Sequence, residues 1–187
     1  AKAQEAMPIK FGERNVREVG LLRSAVKRAQ QEMADTPVPL GLVVIDYVQL
    51  LDSVKARGAY ERVSIASDAC KSLAIELGVP VVALSQLSRE VERRDPPVPG
   101  LADLRESGKL EEDADVVLFT YRESYYLQRK LDGLSPDDLD GRNDLSLALS
   151  RVANSIDIII GKQRSGPTKT VPAFIDLGCC HITADKS

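Results

Sequence analysis

Apolar residues along the chain follow two periodicities that alternate. Val16, Val19, Leu22, Val26, Ala29 and Met33 recur at spacings of three and four, so they share one helical face, while Arg17, Arg23, Lys27 and Arg28 lie off it. This predicts a helix opened by Asn15, with Glu18 placed as in a capping box. Thr36-Pro37-Val38-Pro39 closes it. Ahead of it, Pro8 to Phe11 reads as a short strand. Leu40 to Ile45 is an unbroken apolar run that stops at Asp46, the pattern of a strand covered on both faces in a parallel sheet. Asp52 to Tyr60 reads as a loop. A second helix follows over Glu61 to Leu77, with Val63, Ala66, Cys70, Leu73 and Leu77 on one face and Gly78 as its stop. Val79 to Leu84 is a second buried strand, with Pro80 at its start, where a missing N–H matters least.

Ser85 to Gly100 is polar, holds Pro96, Pro97 and Pro99, and reads as a loop. Leu101 to Glu112 reads as a short charged helical piece and Asp115 to Thr120 as a third strand. The charged segment from Tyr121 to Ser155 predicts an insertion at 122–155 with one or two small helices, one of them starting at Ser135-Pro136-Asp137-Asp138. Ile156 to Gly161 is a fourth strand, Ser165 to Thr168 a turn, and Val171 to Leu177 its hairpin partner. The whole predicts an α/β fold: a mostly parallel sheet flanked by helices, with an antiparallel hairpin at the C-terminal edge.

Composition narrows this only a little. The 187 residues, 43% apolar and 28% charged, suit one domain with its own core and exclude a disordered or collagen-like chain. No apolar run approaches the roughly 18 residues of a membrane span, and the first residues are not those of a signal peptide. Three cysteines, two of them adjacent, fit a reducing compartment, so a cytoplasmic location is expected. A single histidine, His181, argues against a His-rich metal site or a Ser-His-Asp triad. A net charge of −3 gives no global argument for nucleic acid.

Four short stretches carry candidate chemistry. Asp46 stands at the carboxyl end of a buried strand, where ligands bind in open α/β sheets. It can hold a magnesium ion through water beside a nucleotide, or simply cap the next turn. Gln86 follows a second such strand, where its amide can contact a γ-phosphate or anchor a loop. Lys162 and Arg164 flank Gln163 at the end of the fourth strand, on one side of it. That pair suits phosphate oxygens, and equally suits charges guarding a sheet edge. Arg105 and Lys109, with Arg89, Arg93 and Arg94 upstream, can follow a phosphate backbone. The many interleaved acids, from Glu90 to Asp113, make a solvated loop the competing reading. A P-loop needs Gly, four residues, Gly-Lys and then Ser or Thr. Neither Gly108-Lys109-Leu110 nor Gly161-Lys162-Gln163 meets that pattern.

Taken in order, these stretches resemble one family. Leu40-Gly41-Leu42-Val43-Val44-Ile45-Asp46-Tyr47-Val48-Gln49-Leu50-Leu51 resembles the Walker B region of DnaB-type replicative DNA helicases of bacteria and phages. Pro80 to Arg89 is similar to that family's third motif, and Asp103-Leu104-Arg105-Glu106-Ser107-Gly108, running on to Asp115, to its fourth. Ile158 to Thr168 is similar to its late arginine-finger strand and hairpin. The resemblance runs from about Pro8 to Ile182, apart from the insertion. It implies a RecA-like P-loop NTPase core whose N-terminal part is missing, so that residues 1–187 are a single partial motor domain. It implies ATP and Mg2+ as cofactors, single-stranded DNA, a homo-hexameric ring, and primase and helicase loader as partners, with no membrane. Asp46 becomes the magnesium-associated acid and Gln86 the γ-phosphate sensor. Arg164, with Lys162 beside it, becomes the finger placed in a neighbour's ATP site. Arg105, Glu106 and Gly108, with Arg89 and Lys109 nearby, become the DNA-binding set, Gly108 through its N–H.

Three departures accompany the resemblance. The family's P-loop and catalytic glutamate are not in these residues, the 122–155 segment is longer than the usual link, and Gly178 to Ile182 lacks the expected Arg-Phe pair. These fit a divergent phage or prophage relative. Two functions remain open at this point: the C-terminal portion of a helicase motor, inactive by itself, or a non-catalytic RecA-like module that binds DNA or docks on a helicase ring.

Overall fold

The computed structural model describes residues 9–12, 16–34 and 36–184, without the side chains of 105–107. The chain divides into two compact units, 1–87 with 104–114 and 88–103 with 115–187.

The first unit is built on helix α1 (Val19–Ala34), strand β1 (Val43–Ile45), helix α2 (Ala59–Leu77), strand β2 (Val81–Ala83) and the short helix α3 (Gly108–Asp113). The helical stripes do what their spacing predicts. Val63, Ala66, Cys70 and Leu73 of α2 are buried, and Val19, Leu22 and Val26 of α1 pack on the same core with Val43, Ile45, Val48 and Leu51. Burial pushes the Cys70 thiol up to about 11, since a thiolate has no place in that core. Gly78 ends α2 in the left-handed conformation, φ +65, which a side chain rarely adopts. β1 and β2 pair in parallel, Val43 with Val81, Val44 with Val82 and Ile45 with Ala83.

Two expectations at the start of the chain change. Ile9 to Phe11 form no strand, and Pro8 lies outside the described residues. The first helix begins at Val19, and the proposed cap Asn15 also lies outside them. Glu18 is the working cap: its carboxylate accepts from the Leu21 N–H at 3.0 Å. The Val19 N–H is already used by the Asp52 carbonyl at 3.0 Å, which fixes the start of the helix.

The second unit carries strand β3 (Val116–Tyr121), helices α4 (Glu123–Gly133) and α5 (Leu139–Val152), and strands β4 (Ser155–Gln163), β5 (Lys169–Asp176) and β6 (His181–Ala184). The sheet is antiparallel throughout, in the order β3-β4-β5-β6. Its antiparallel part is therefore larger than the single hairpin expected; among the described residues the parallel strand pair is β1 with β2, beside an isolated parallel bridge between Glu18 and Asp52. Ile156, Ala173 and Ile175 form a buried cluster, with Val117, Phe119 and Tyr121 buried along β3. The 122–155 segment does contain two helices, packed together. The second opens four residues later than Ser135, at Leu139, because Asp138 caps it through the Gly141 N–H at 3.0 Å. Ser135 instead shapes the preceding turn, accepting from the Asp137 N–H at 3.3 Å.

Candidate functional site

The first group of predicted residues meets at the carboxyl ends of β1 and β2. Ile45 and Ala83 are level in the ladder, so both strands run out at the same edge. The ladder continues past the named strands: the Leu84 N–H donates to the Ile45 carbonyl at 2.9 Å, and the Val48 N–H to the Leu84 carbonyl at 2.8 Å. Asp46 emerges exposed between these bonds, and the peptide bond that follows it is cis. Gln86 is also exposed, two residues beyond Leu84.

One residue holds the two tips together, and the sequence reading did not single it out. Gln49 lies on the 3₁₀ turn Val48–Leu50, whose Val48 is fully buried in the core. Its side-chain amide donates to the Ser85 hydroxyl at 2.9 Å and accepts from the Gln86 N–H at 3.2 Å. An amide can do both at once, which a carboxylate or ammonium cannot. The available signal was its position three residues after Asp46, just past the end of the apolar run.

Lys162 and Arg164 belong to the second unit. The β3–β4 register shifts between Val117 and Leu118: Leu118 pairs with Ile160 but Val117 with Lys162, leaving Gly161 as the extra residue of a bulge. Without it Lys162 would follow Ile156, Ile158 and Ile160 on their face. With it Lys162 is level with Val117, on the face of Phe119 and Tyr121. A Cβ built on Gly161 would stand 2.5 Å from Phe119 Cε2, so a hydrogen is all that fits there. Arg164 follows the strand, exposed. Its N–H donates to the Asp115 carbonyl at 2.9 Å, and its Nε lies 3.4 Å from Asp115 Oδ1.

The predicted DNA-binding residues are divided between the units. Gly108 and Lys109 lie on α3 in the first. Lys109 is enclosed by carboxylates: Asp113 at 3.0 Å, Asp68 at 3.5 Å and Glu112 at 3.5 Å. The bond to Asp113 raises its pKa above the ordinary lysine value. Burial alone would raise the pKa of Asp113; the Ser67 hydroxyl, at 2.7 Å, and Lys109 more than offset that and lower it. Lys109 thus ties α3 to α2. The side chains of Arg105 and Glu106 lie outside the described residues. Arg89, in the second unit, is exposed at the start of the 3₁₀ turn Arg89–Arg93, which Ser88 caps. The segment is closed by Asp103, which is buried, pairs with Arg94 and accepts from the Gly100 N–H at 2.8 Å.

Known proteins resemble this arrangement along most of the chain. A family model described as the DnaB-like helicase C-terminal domain matches residues 1–179. The replicative DNA helicase DnaB of Rickettsia conorii is 46% identical over 139 residues, 73% of this chain and 27% of its own length. That of Geobacillus stearothermophilus is 42% identical over 157 residues, 82% of this chain and 29% of its own. The chain therefore spans less than a third of the curated relatives it matches. A solved structure described as an ATPase domain superposes with a TM-score of 0.70 at 35% identity, covering 89% of this chain and 51% of that one. A structure described as a DnaB-like replicative helicase and its interactions with primase gives 0.65 at 37% identity, covering 86% and 34%. The parallel pair, the antiparallel sheet and the helices are thus parts of a RecA-like helicase ATPase fold. Among the described residues no helix is long and apolar enough to cross a membrane. With the family model covering nearly all of it and these relatives agreeing along most of its length, the chain belongs to the DnaB-like helicase C-terminal domain family.

Proposed function

We propose that the chain is the C-terminal portion of a replicative DNA helicase motor, which couples ATP hydrolysis to movement along single-stranded DNA and so to duplex unwinding. The observation that carries this reading is the level pair of strand ends, where Asp46 and Ser85-Gln86 leave the sheet at one edge and Gln49 joins them. That edge is the ligand-binding edge of open α/β sheets. The donor set fits a magnesium nucleotide. Magnesium keeps several waters and takes one or two carboxylates together with substrate phosphates, and one exposed carboxylate is what Asp46 offers. Among the described residues no three His, Cys, Asp or Glu side chains gather into a cage that would hold a metal without a nucleotide.

The magnesium nucleotide, when bound, supplies the phosphoryl group and a cation that neutralises its charge. Asp46 is the carboxylate that would hold that cation, through water. Gln86 reads the γ-phosphate with its amide while Gln49 fixes its backbone. Arg164, with Lys162, serves the site of a neighbouring subunit, where a bidentate guanidinium stabilises charge developing on the transferring group. Hydrolysis then depends on assembly, which fits a homo-hexameric ring. Arg105, Glu106 and Gly108 in the first unit are contacts to single-stranded DNA, and Arg89 in the second unit is a separate candidate contact. Lys109 acts indirectly, by holding α3 against α2. Primase and a loader are the partners this function calls for.

Because no P-loop pattern occurs in the 187 residues, the purified chain should show no steady-state ATP hydrolysis above background. Robust turnover by the chain alone would overturn the division of the site proposed here.

A further inference from the structure

Helix α4 touches the loop that carries the arginines. Arg129 Nη1 lies 3.4 Å from Glu92 Oε2, and Lys130 Nζ lies 3.1 and 3.2 Å from the two Asp95 oxygens. Arg129 also lies over the Tyr125 ring, 5.7 Å from its centroid, and Tyr125 meets Tyr126 edge-on, so the cation rests on an aromatic base.

The acids it meets are the ones that compromise the loop. Between Ser88 and Asp103 three arginines accompany four carboxylates, a net charge of −1 that makes a poor phosphate ligand. Arg94 pairs with Asp103, and Arg93 with Glu90 at 3.0 Å. Glu92 is three residues from Arg89 on the same 3₁₀ turn, a spacing at which side chains eclipse. Left unpaired, Glu92 would neutralise Arg89 itself. With Arg129 and Lys130 added, the local charge becomes +1.

We propose that α4 is a charge mask: Arg129 and Lys130 occupy Glu92 and Asp95, and so free Arg89 to contact a phosphate of single-stranded DNA. The inference rests on reading this chain as part of a motor that tracks such a strand. Both ion pairs are exposed and add little to stability, so their loss changes the field around Arg89 rather than the fold.

The test is a fluorescence-anisotropy titration of the protein with labelled oligothymidylate, with a thermal melt of every variant. Arg129→Gln with Lys130→Gln should weaken binding about fivefold at about 0.1 M salt, with a shallower salt dependence. Adding Glu92→Gln and Asp95→Asn should restore affinity to within about twofold, because there is then nothing left to mask. Arg89→Ala should bind as weakly as the first variant. The proposal is overturned if the double variant binds normally, or if the fourfold variant stays weak. It is also overturned if weak binding in both comes with a lowered melting midpoint, the sign of a purely structural role. Normal binding by Arg89→Ala would instead remove this loop from the DNA path, a separate failure of the underlying reading.

Discussion

The strand ends to which the proposed function assigns phosphate chemistry are built by opposite devices in the two units. β1 and β2 are three residues each, paired level, and their polar tips emerge where the apolar runs stop. β4 is nine residues long, and its own alternation would put Lys162 in line with three isoleucines; a single unpaired glycine moves it to the opposite face. The first end is positioned by where two strands terminate. The second is positioned by a fault in the pairing between strands separated by two helices. A short parallel pair is aimed by its ends, a long antiparallel strand by its bulge.

Substitutions at each end test that contrast. The largest effect is expected at Arg164. In the ring, Arg164→Ala should lower kcat about 10³-fold or more while nucleotide affinity changes little. Rapid-quench hydrolysis with a parallel nucleotide-binding titration separates the two, and near-normal turnover would remove Arg164 from the site. Next is the bulge itself. Gly161→Val places carbon where Phe119 stands and should cost about 1–3 kcal/mol in a denaturant titration, with Phe119→Leu in the same chain recovering part of it. An unaltered midpoint would mean the strands slide freely and the bulge does not set the face.

A smaller effect belongs to the other end. Gln49→Ala removes the tie between the tips and should cost about 1 kcal/mol, with the denaturant slope unchanged. The smallest concerns the frame behind that end, where Glu76 of α2 meets Arg23 and Lys27 of α1. The hydrogen bond from Arg23, then that from Lys27, lowers its pKa from 4.5 to about 2. A lowered folded value means the stabilisation is present above pH 4.5 and is lost as pH falls toward 2. Glu76→Gln should therefore be the less stable protein at neutral pH, with the gap closing across that acid range; a gap independent of pH would point to packing instead.

Much of the first end was legible along the chain because its causes are local. The α2 stripe, the Gly78 stop and the polar residues after each apolar run are all set by neighbours within a few positions. What escaped has distant causes. The first helix begins at Val19 because the Asp52 carbonyl takes its N–H. Gln49 looked like one more polar residue until Ser85 and Gln86 lay beside it. Strand β6 is the local exception: its loop is held by Asp176 accepting from the Gly178 N–H at 2.8 Å, but it also needs Cys180 at a positive φ of 53, a conformation that residue type does not announce. The β4 bulge needed the partner strand, since Gly161 alone reads as the first half of a Gly-Lys pair. The carboxylate partners of Lys109 were hidden for the same reason, since Asp68 comes from another helix.

In the proposed function Asp46 with Gln86, and Arg164 with Lys162, serve the same ATP from different subunits. Mixing decides it most directly. Rings of the full-length helicase carrying only Asp46→Asn, and rings carrying only Arg164→Ala, are each expected to be inactive. Subunit exchange between them should restore ATP hydrolysis, because some interfaces then join an intact Asp46 to an intact Arg164. If exchange is shown to occur and hydrolysis stays absent, the two residues work within one subunit and the account is contradicted.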